Sequence, residues 1–144
     1  MSDHRPLRVI VHIDGGSRGN PGPAAAGIVV AEARSGAVLR EAGIYLGRAT
    51  NNVAEYRGLL EGLRLAGQLR AEEVEIVSDS LLLVCQMTGD YRVKNPGLIP
   101  LHRQASDLAA RFRKCSFRHV RREENHHADS LVNQTLNLGR DVRP

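Results

Sequence analysis

The chain has 144 residues and a formal net charge of +4, with 42% hydrophobic and 25% charged residues. That is long enough for one complete domain, too short for two ordinary ones, and balanced like a soluble globular protein. No apolar run approaches the roughly 20 residues of a membrane span, and nothing apolar follows the charged opening Met1-Ser-Asp-His-Arg-Pro6, so neither a membrane segment nor a secretory signal is expected.

Residues 8–14 alternate Val9, Val11 and Ile13 against Arg8, Ile10 and His12, which predicts a strand ending at Asp14. A glycine-rich loop, Gly15–Gly22, precedes a second apolar run, Ala26–Ala31. Ser35-Gly36 reads as a hairpin turn into a third strand at about 37–47. Thr50 or Asn51 can cap a helix of about 52–69, with Val53, Tyr56, Leu60 and Leu63 as its apolar stripe and Glu55 off that stripe in the first turn. Val74–Val77 forms a short strand, and Asp79-Ser80 opens a helix of about 80–88. Residues 89–97 read as loop, followed by a helix of about 98–113 and a fifth strand at 115–121. Asn125 can cap a last helix whose Ala128, Leu131, Val132, Thr135 and Leu136 share one face. The tail from Gly139 is basic and expected to fray. The order βββαβααβα predicts an α/β fold: a five-stranded mixed sheet, with a three-strand antiparallel meander, parallel strands and helices on both faces. The whole chain, 1–144, is expected to form one domain with its core at about 8–137.

The basic residues are almost all arginine, since Lys94 and Lys114 are the only lysines. The basic excess favours a polyanionic partner, and arginine grips phosphate oxygens in pairs. Genomic base composition explains the arginines equally well. With 3% aromatic residues and no Trp, a protein relying mainly on aromatic stacking to hold single strands is disfavoured. Cys85 and Cys115 lack CxxC spacing, so reduced thiols and a cytoplasmic location are expected.

Four acids stand in polar signatures: Asp14-Gly-Gly-Ser-Arg-Gly-Asn-Pro-Gly22, Thr50-Asn-Asn-Val-Ala-Glu55, Ile76-Val-Ser-Asp79-Ser80 and Arg122-Glu-Glu-Asn-His-His-Ala-Asp129. Carboxylates anchored at element ends can converge in a fold, and converged carboxylates require protons or cations between them. The economical reading is a divalent-metal site. Taken singly, each signature has a plainer use: Gly15–Gly22 as a tight turn, Thr50, Asn51 and Asn52 as helix caps, Asp79 as an N-cap, and Asp129 as a solvated helix residue. The loop lacks the spacing of a nucleotide P-loop or a dinucleotide site. Adjacent His126 and His127 point about 100° apart on a helix, which argues against a metal site with Glu123. His12 reads as a structural residue.

Together, these four motifs in this order resemble ribonuclease HI, the type 1 ribonuclease H family, over about residues 8–137. The resemblance implies a metal-dependent endonuclease that cuts the RNA strand of RNA–DNA hybrids and leaves 5′-phosphate and 3′-hydroxyl ends. It carries the family's catalytic set onto Asp14, Glu55, Asp79 and Asp129, holding two Mg²⁺ about 3.5–4 Å apart, with Mn²⁺ as a substitute. Glu55 would also accept a hydrogen bond from the ribose 2′-OH, which distinguishes RNA from DNA. Substrate contacts are implied for Gly15, Gly16, Ser17, Arg18, Gly19, Asn20, Thr50, Asn51, Asn52 and Ser80. A monomer without an obligatory protein partner is expected.

The chain departs from many members in two places. The histidine they carry before the last Asp is absent, which gives Arg122 an auxiliary role as a hypothesis, against a plain ion pair with Glu123 or a phosphate contact. The lysine-rich protrusion is also absent between Gln86 and Leu98, as in compact, archaeal-like members, so grip falls to scattered arginines such as Arg18, Arg57, Arg92 and Arg121. Some compact members also cut double-stranded RNA, and the sequence leaves that open. Two other readings stay on the table: a catalytically silent hybrid- or dsRNA-binding module, and another phosphoryl transferase of the same fold.

Overall fold

The computed structural model describes residues 5–143, so the expectation about the extreme N-terminus falls partly outside them. The chain runs β1 (Arg8–Ser17), β2 (Gly22–Glu32), β3 (Val38–Ala49), α1 (Asn51–Gln68), β4 (Glu73–Ser78), α2 (Leu81–Thr88), α3 (Ile99–Ala109), β5 (Lys114–His119), a 3₁₀ turn (Arg122–Glu124) and α4 (His126–Leu138). The strands form one sheet in the order β3-β2-β1-β4-β5. β1 is central, antiparallel to β2 and parallel to β4. The five-stranded mixed sheet is the one the sequence predicts. No helix among the described residues is long and apolar enough to cross a membrane.

The alternation in β1 sends Val9, Val11 and Ile13 into the main core with Leu59, Leu60 and Leu63 of α1. Gly58 and Gly62 bring α1 close: a Cβ at Gly62 would press on Val11, and one at Gly58 would meet the Asp14 carbonyl. α4 lies on the opposite face, over β2 and β3. Its seat is a pair of cross-strand neighbours, Gly27 and Gly43, level with Asp14 on β1. A Cβ on Gly27 would overlap the Ala128 carbonyl, and one on Gly43 the Thr135 hydroxyl.

Several expectations need correction. β1 does not end at Asp14: Gly15, Gly16 and Ser17 stay paired with Ala26, Ala25 and Ala24, so half of the expected loop is strand. Small residues on both partners let the pairing continue where glycines alone suggest a turn. Glu55 lies in the second turn of α1, not the first, and is buried. α3 is shorter than expected and stops at Ala109. Over its described residues, 139–143, the tail is docked and not frayed. Gly43 and Val142 exchange main-chain hydrogen bonds of 2.7 and 2.8 Å, the Asp141 carboxylate accepts from the Tyr45 N–H, and Arg143 faces Glu61. The tail thereby covers part of β3, an edge strand whose main-chain groups otherwise face solvent.

Candidate metal centre

Parallel pairing sets Ile13 level with Ser78, so the next residues, Asp14 and Asp79, emerge side by side. Glu55 reaches them from α1 because β1 has no side chain at Gly15: a Cβ there would overlap the Ala54 carbonyl carbon and the Glu55 nitrogen. One carboxylate oxygen from each of Asp14, Glu55 and Asp79 lies within 4.8 Å of the others. Among the described residues this is the group able to offer three metal ligands together, and His126, His127 and Glu123 form no such group. His127 instead pairs with Glu41 at 2.8 Å. Asp129, in the first turn of α4, completes the cleft and helps to raise the proton affinity of Asp14.

The acids cost one another ionisation. Burial, then the charge of Asp79, then the hydrogen bond and charge of Asp129 push Asp14 from 3.8 up to about 8, against a Gly15 N–H that favours the carboxylate. Burial, with Asp14 and Asp79 behind it, raises Glu55 well above its ordinary value. Asp79 is raised by burial and by Asp129, an effect opposed by a hydrogen bond from Asn125 and by the positive charges of Arg122 and His119. Glu55 Oε2 is buried and has no hydrogen-bond partner. A lone buried carboxylate oxygen among raised acids is the donor set a hard divalent cation satisfies.

The cleft is about 420 Å³ and is walled by Gly15–Arg18 and Asn51 on one side and by Val132, Asn133 and Leu136 of α4 on the other. Arg122 stands at its mouth. Its side chain is 78% exposed and 3.6 Å from Asp129, so its neighbour is the site acid and not the Glu123 of the plainer alternative. Of the expected contact residues, Gly15, Gly16, Ser17, Arg18 and Asn51 line the cleft; Gly19, Asn20, Thr50, Asn52 and Ser80 do not. Three of these have structural tasks. Thr50 Oγ1 accepts from the Val53 N–H and caps α1; Ser80 Oγ accepts from the Leu83 N–H and caps α2. Asn20 Oδ1 accepts from the Asn51 N–H, while Asn51 Oδ1 accepts from the Ser17 N–H, stapling the β1–β2 connection to α1.

Sequence reasoning missed the α4 wall. Asn133 follows Asp129 by one helical turn, and Asn137, one turn further, accepts from Arg18 at 2.6 Å. The i, i+4 spacing from Asp129 was the available signal.

Residues 12–135 match the family described as reverse transcriptase-like. The structure superposes on the N-terminal RNase H domain of a Mycobacterium tuberculosis protein with a TM-score of 0.89 and 48% identity, over 92% of this chain and 95% of that one. RNase H1 from the archaeon Halobacterium salinarum gives a TM-score of 0.87 at 40% identity, covering 90% and 98% of the two chains. LC11 RNase H1, solved in complex with an RNA/DNA hybrid, gives 0.86 at 38%, covering 91% and 98%. The full-length M. tuberculosis relative is a bifunctional protein, and the chain spans 36% of its length.

Proposed function

The chain belongs to the ribonuclease HI family, and on that premise we propose that it hydrolyses the RNA strand of RNA–DNA hybrids with divalent cations held in the acidic cleft. The observation that carries this reading is the meeting of Asp14, Glu55 and Asp79 within 4.8 Å beside Asp129. A protein that only bound nucleic acid would gain nothing from buried acids facing phosphate.

Asp14, Glu55, Asp79 and Asp129 would hold the cations, Mg²⁺ first and Mn²⁺ as a substitute. Two ions held there would supply a lowered pKa for an attacking water and charge stabilisation for the departing 3′ oxygen, with 5′-phosphate and 3′-hydroxyl ends as the products. The chain's own residues supply the rest. The backbone of Gly15 and Gly16 lines the cleft beside the acids, where a hybrid would run past it. Ser17, Arg18 and Asn51 line the path of the strand, with amide and hydroxyl groups suited to sugar and base edges. Glu55 would accept a hydrogen bond from a ribose 2′-OH, the group that separates RNA from DNA. Arg122 offers an exposed cation at the mouth of the cleft for phosphate or product.

The test incubates labelled RNA–DNA hybrid, dsRNA and dsDNA with the protein and Mg²⁺ or Mn²⁺, beside Asp14→Asn. Cutting of the hybrid's RNA strand by the parent alone is expected. Tight hybrid binding without cleavage would replace the reading with a binding module, and equal cleavage by Asp14→Asn would assign the activity to a contaminant.

A further inference from the structure

Asn125 occupies the N-cap position of α4, yet its side chain makes no capping hydrogen bond. The residue is 1% exposed. Its amide turns into the protein instead: Nδ2 donates to the Ile13 carbonyl at 2.8 Å, across 112 positions of sequence, and the side chain lies near enough to Asp79 to favour its ionised form. The backbone of the same residue completes the connection. Its N–H donates to the Arg122 carbonyl at 3.0 Å, and its carbonyl accepts from the Asp129 N–H at 3.1 Å. One residue therefore binds the segment before Asp14 and the main chain of both Arg122 and Asp129, beside the Asp79 carboxylate whose ionised form it favours.

The choice of side chain follows from the donor count. The Ile13 carbonyl and the Asp79 carboxylate are both acceptors, and a side-chain amide is the smallest group that presents two N–H donors from one nitrogen. The reverse amide orientation would set Oδ1 against a carbonyl and a carboxylate. In the orientation found, Oδ1 is buried without a partner. Leaving such an acceptor unpaired is unfavourable, so the arrangement meets the needs of the two acceptors at the expense of the amide's own oxygen. An ordinary N-cap has no use for this geometry.

We propose that Asn125 is a positioning residue of the metal centre, whose amide ties β1 at Ile13 to the Asp79 carboxylate and so fixes how Asp14, Asp79 and Asp129 face a cation. The inference rests on the metal-site reading above. Ligating carboxylates are commonly oriented by such outer hydrogen bonds, and loss of one lowers metal affinity about 10–100-fold.

The experiment titrates Mn²⁺ calorimetrically into the parent, Asn125→Asp, Asn125→Ala, Asn125→Ser and Asp14→Asn, at a temperature where circular dichroism shows each one folded. Cleavage of a labelled hybrid is measured in parallel as a function of metal and of substrate. Asn125→Asp keeps the shape and removes the donors. It and Asn125→Ala should each raise the apparent Mn²⁺ dissociation constant, and the metal concentration for half-maximal cleavage, about 10–100-fold. The KM for hybrid at saturating metal should stay within about threefold. Asn125→Ser keeps one donor and should recover part of the loss. Parental Mn²⁺ affinity in a folded Asp or Ala variant overturns the inference. Variants that fail to fold even at saturating Mn²⁺ mark Asn125 as a purely structural residue and overturn it equally. If the parent binds Mn²⁺ no better than Asp14→Asn, the metal-site reading itself fails and this inference with it. If the parent binds and the Asn125 variants match it, only the positioning role is lost.

Discussion

Glu55 shows what it costs to bring these acids together. It is 9% exposed, its Oε2 has no partner, and burial and the neighbouring Asp14 and Asp79 charges all disfavour its ionised form. Glu55→Gln removes that charge while keeping the shape. Without metal the variant should be more stable than the parent by about 1 kcal/mol, as functional sites often are when their strained charges are removed. With metal it should lose about a thousandfold in hybrid cleavage, the equivalent of several kcal/mol of transition-state stabilisation. Thermal unfolding in EDTA and a hybrid cleavage assay check the two halves, and a destabilised Gln variant would contradict the electrostatic account. Arg122 is a contrasting case. An exposed guanidinium 3.6 Å from Asp129 contributes roughly 0–1 kcal/mol to the fold. Arg122→Ala should therefore unfold like the parent while its turnover falls about tenfold, about 1.4 kcal/mol of barrier, for loss of a charge at the cleft mouth; unchanged turnover would remove its auxiliary role. At this scale the four acids were legible because each carries a distinctive polar neighbourhood. The sequence presents Asn125 only as a cap, since an Asn before a helix usually is one and nothing local encodes a partner at Ile13.

α4 is seated by what is missing beneath it. Gly27 and Gly43 lie side by side on β2 and β3, and a methyl group on either would strike α4, at the Ala128 carbonyl or the Thr135 hydroxyl. Gly43→Ala should thus cost about 1–3 kcal/mol through overpacking, and cleavage should fall further than stability because Asp129 rides on the displaced helix. Gly67→Ala is the control. Gly67 lies in α1, with no atom near its would-be Cβ, so alanine should be neutral or stabilising by roughly 0.5–1 kcal/mol. Urea unfolding and cleavage rates for the pair decide the matter: equal behaviour would mean that the glycine seat has no mechanical role. The helices α1 and α4 were readable from their 3.6-residue periodicity, and Thr50 from its capping chemistry. The extension of β1 through Gly15 and Gly16 was not, because glycines signal a turn locally and only pairing with Ala25 and Ala26 makes them strand. The docked tail was hidden for the same reason. A short polar segment looks frayed until an edge strand offers Gly43 and Tyr45 as partners.

A chain of net charge +4 that concentrates acids in one cleft has a stability governed by pH and by cations together. Asp14 has its folded pKa raised from 3.8 to about 8, and Glu55 and Asp79 are raised as well. Below pH 3.8 Asp14 is protonated in both states, and the stabilisation from its higher folded affinity for protons is fully present. As pH rises toward 8 the unfolded chain releases that proton while the folded chain keeps it, so the stabilisation drains away. His12 acts in the opposite sense, because burial and the nearby Arg118 and His127 lower its pKa from 6.5, and its contribution is complete once pH exceeds that value. The interval from pH 7 to 8 therefore isolates the acids. In EDTA the melting temperature should fall across it, and Asp14→Asn should flatten the fall. On the proposed metal site, saturating Mg²⁺ would bind the ionised carboxylates and release their protons, so the metal-induced rise in melting temperature should grow with pH across the same interval. A metal-free melting temperature that climbs from pH 7 to 8, or a slope unchanged in Asp14→Asn, would show that these carboxylates do not share one buried site.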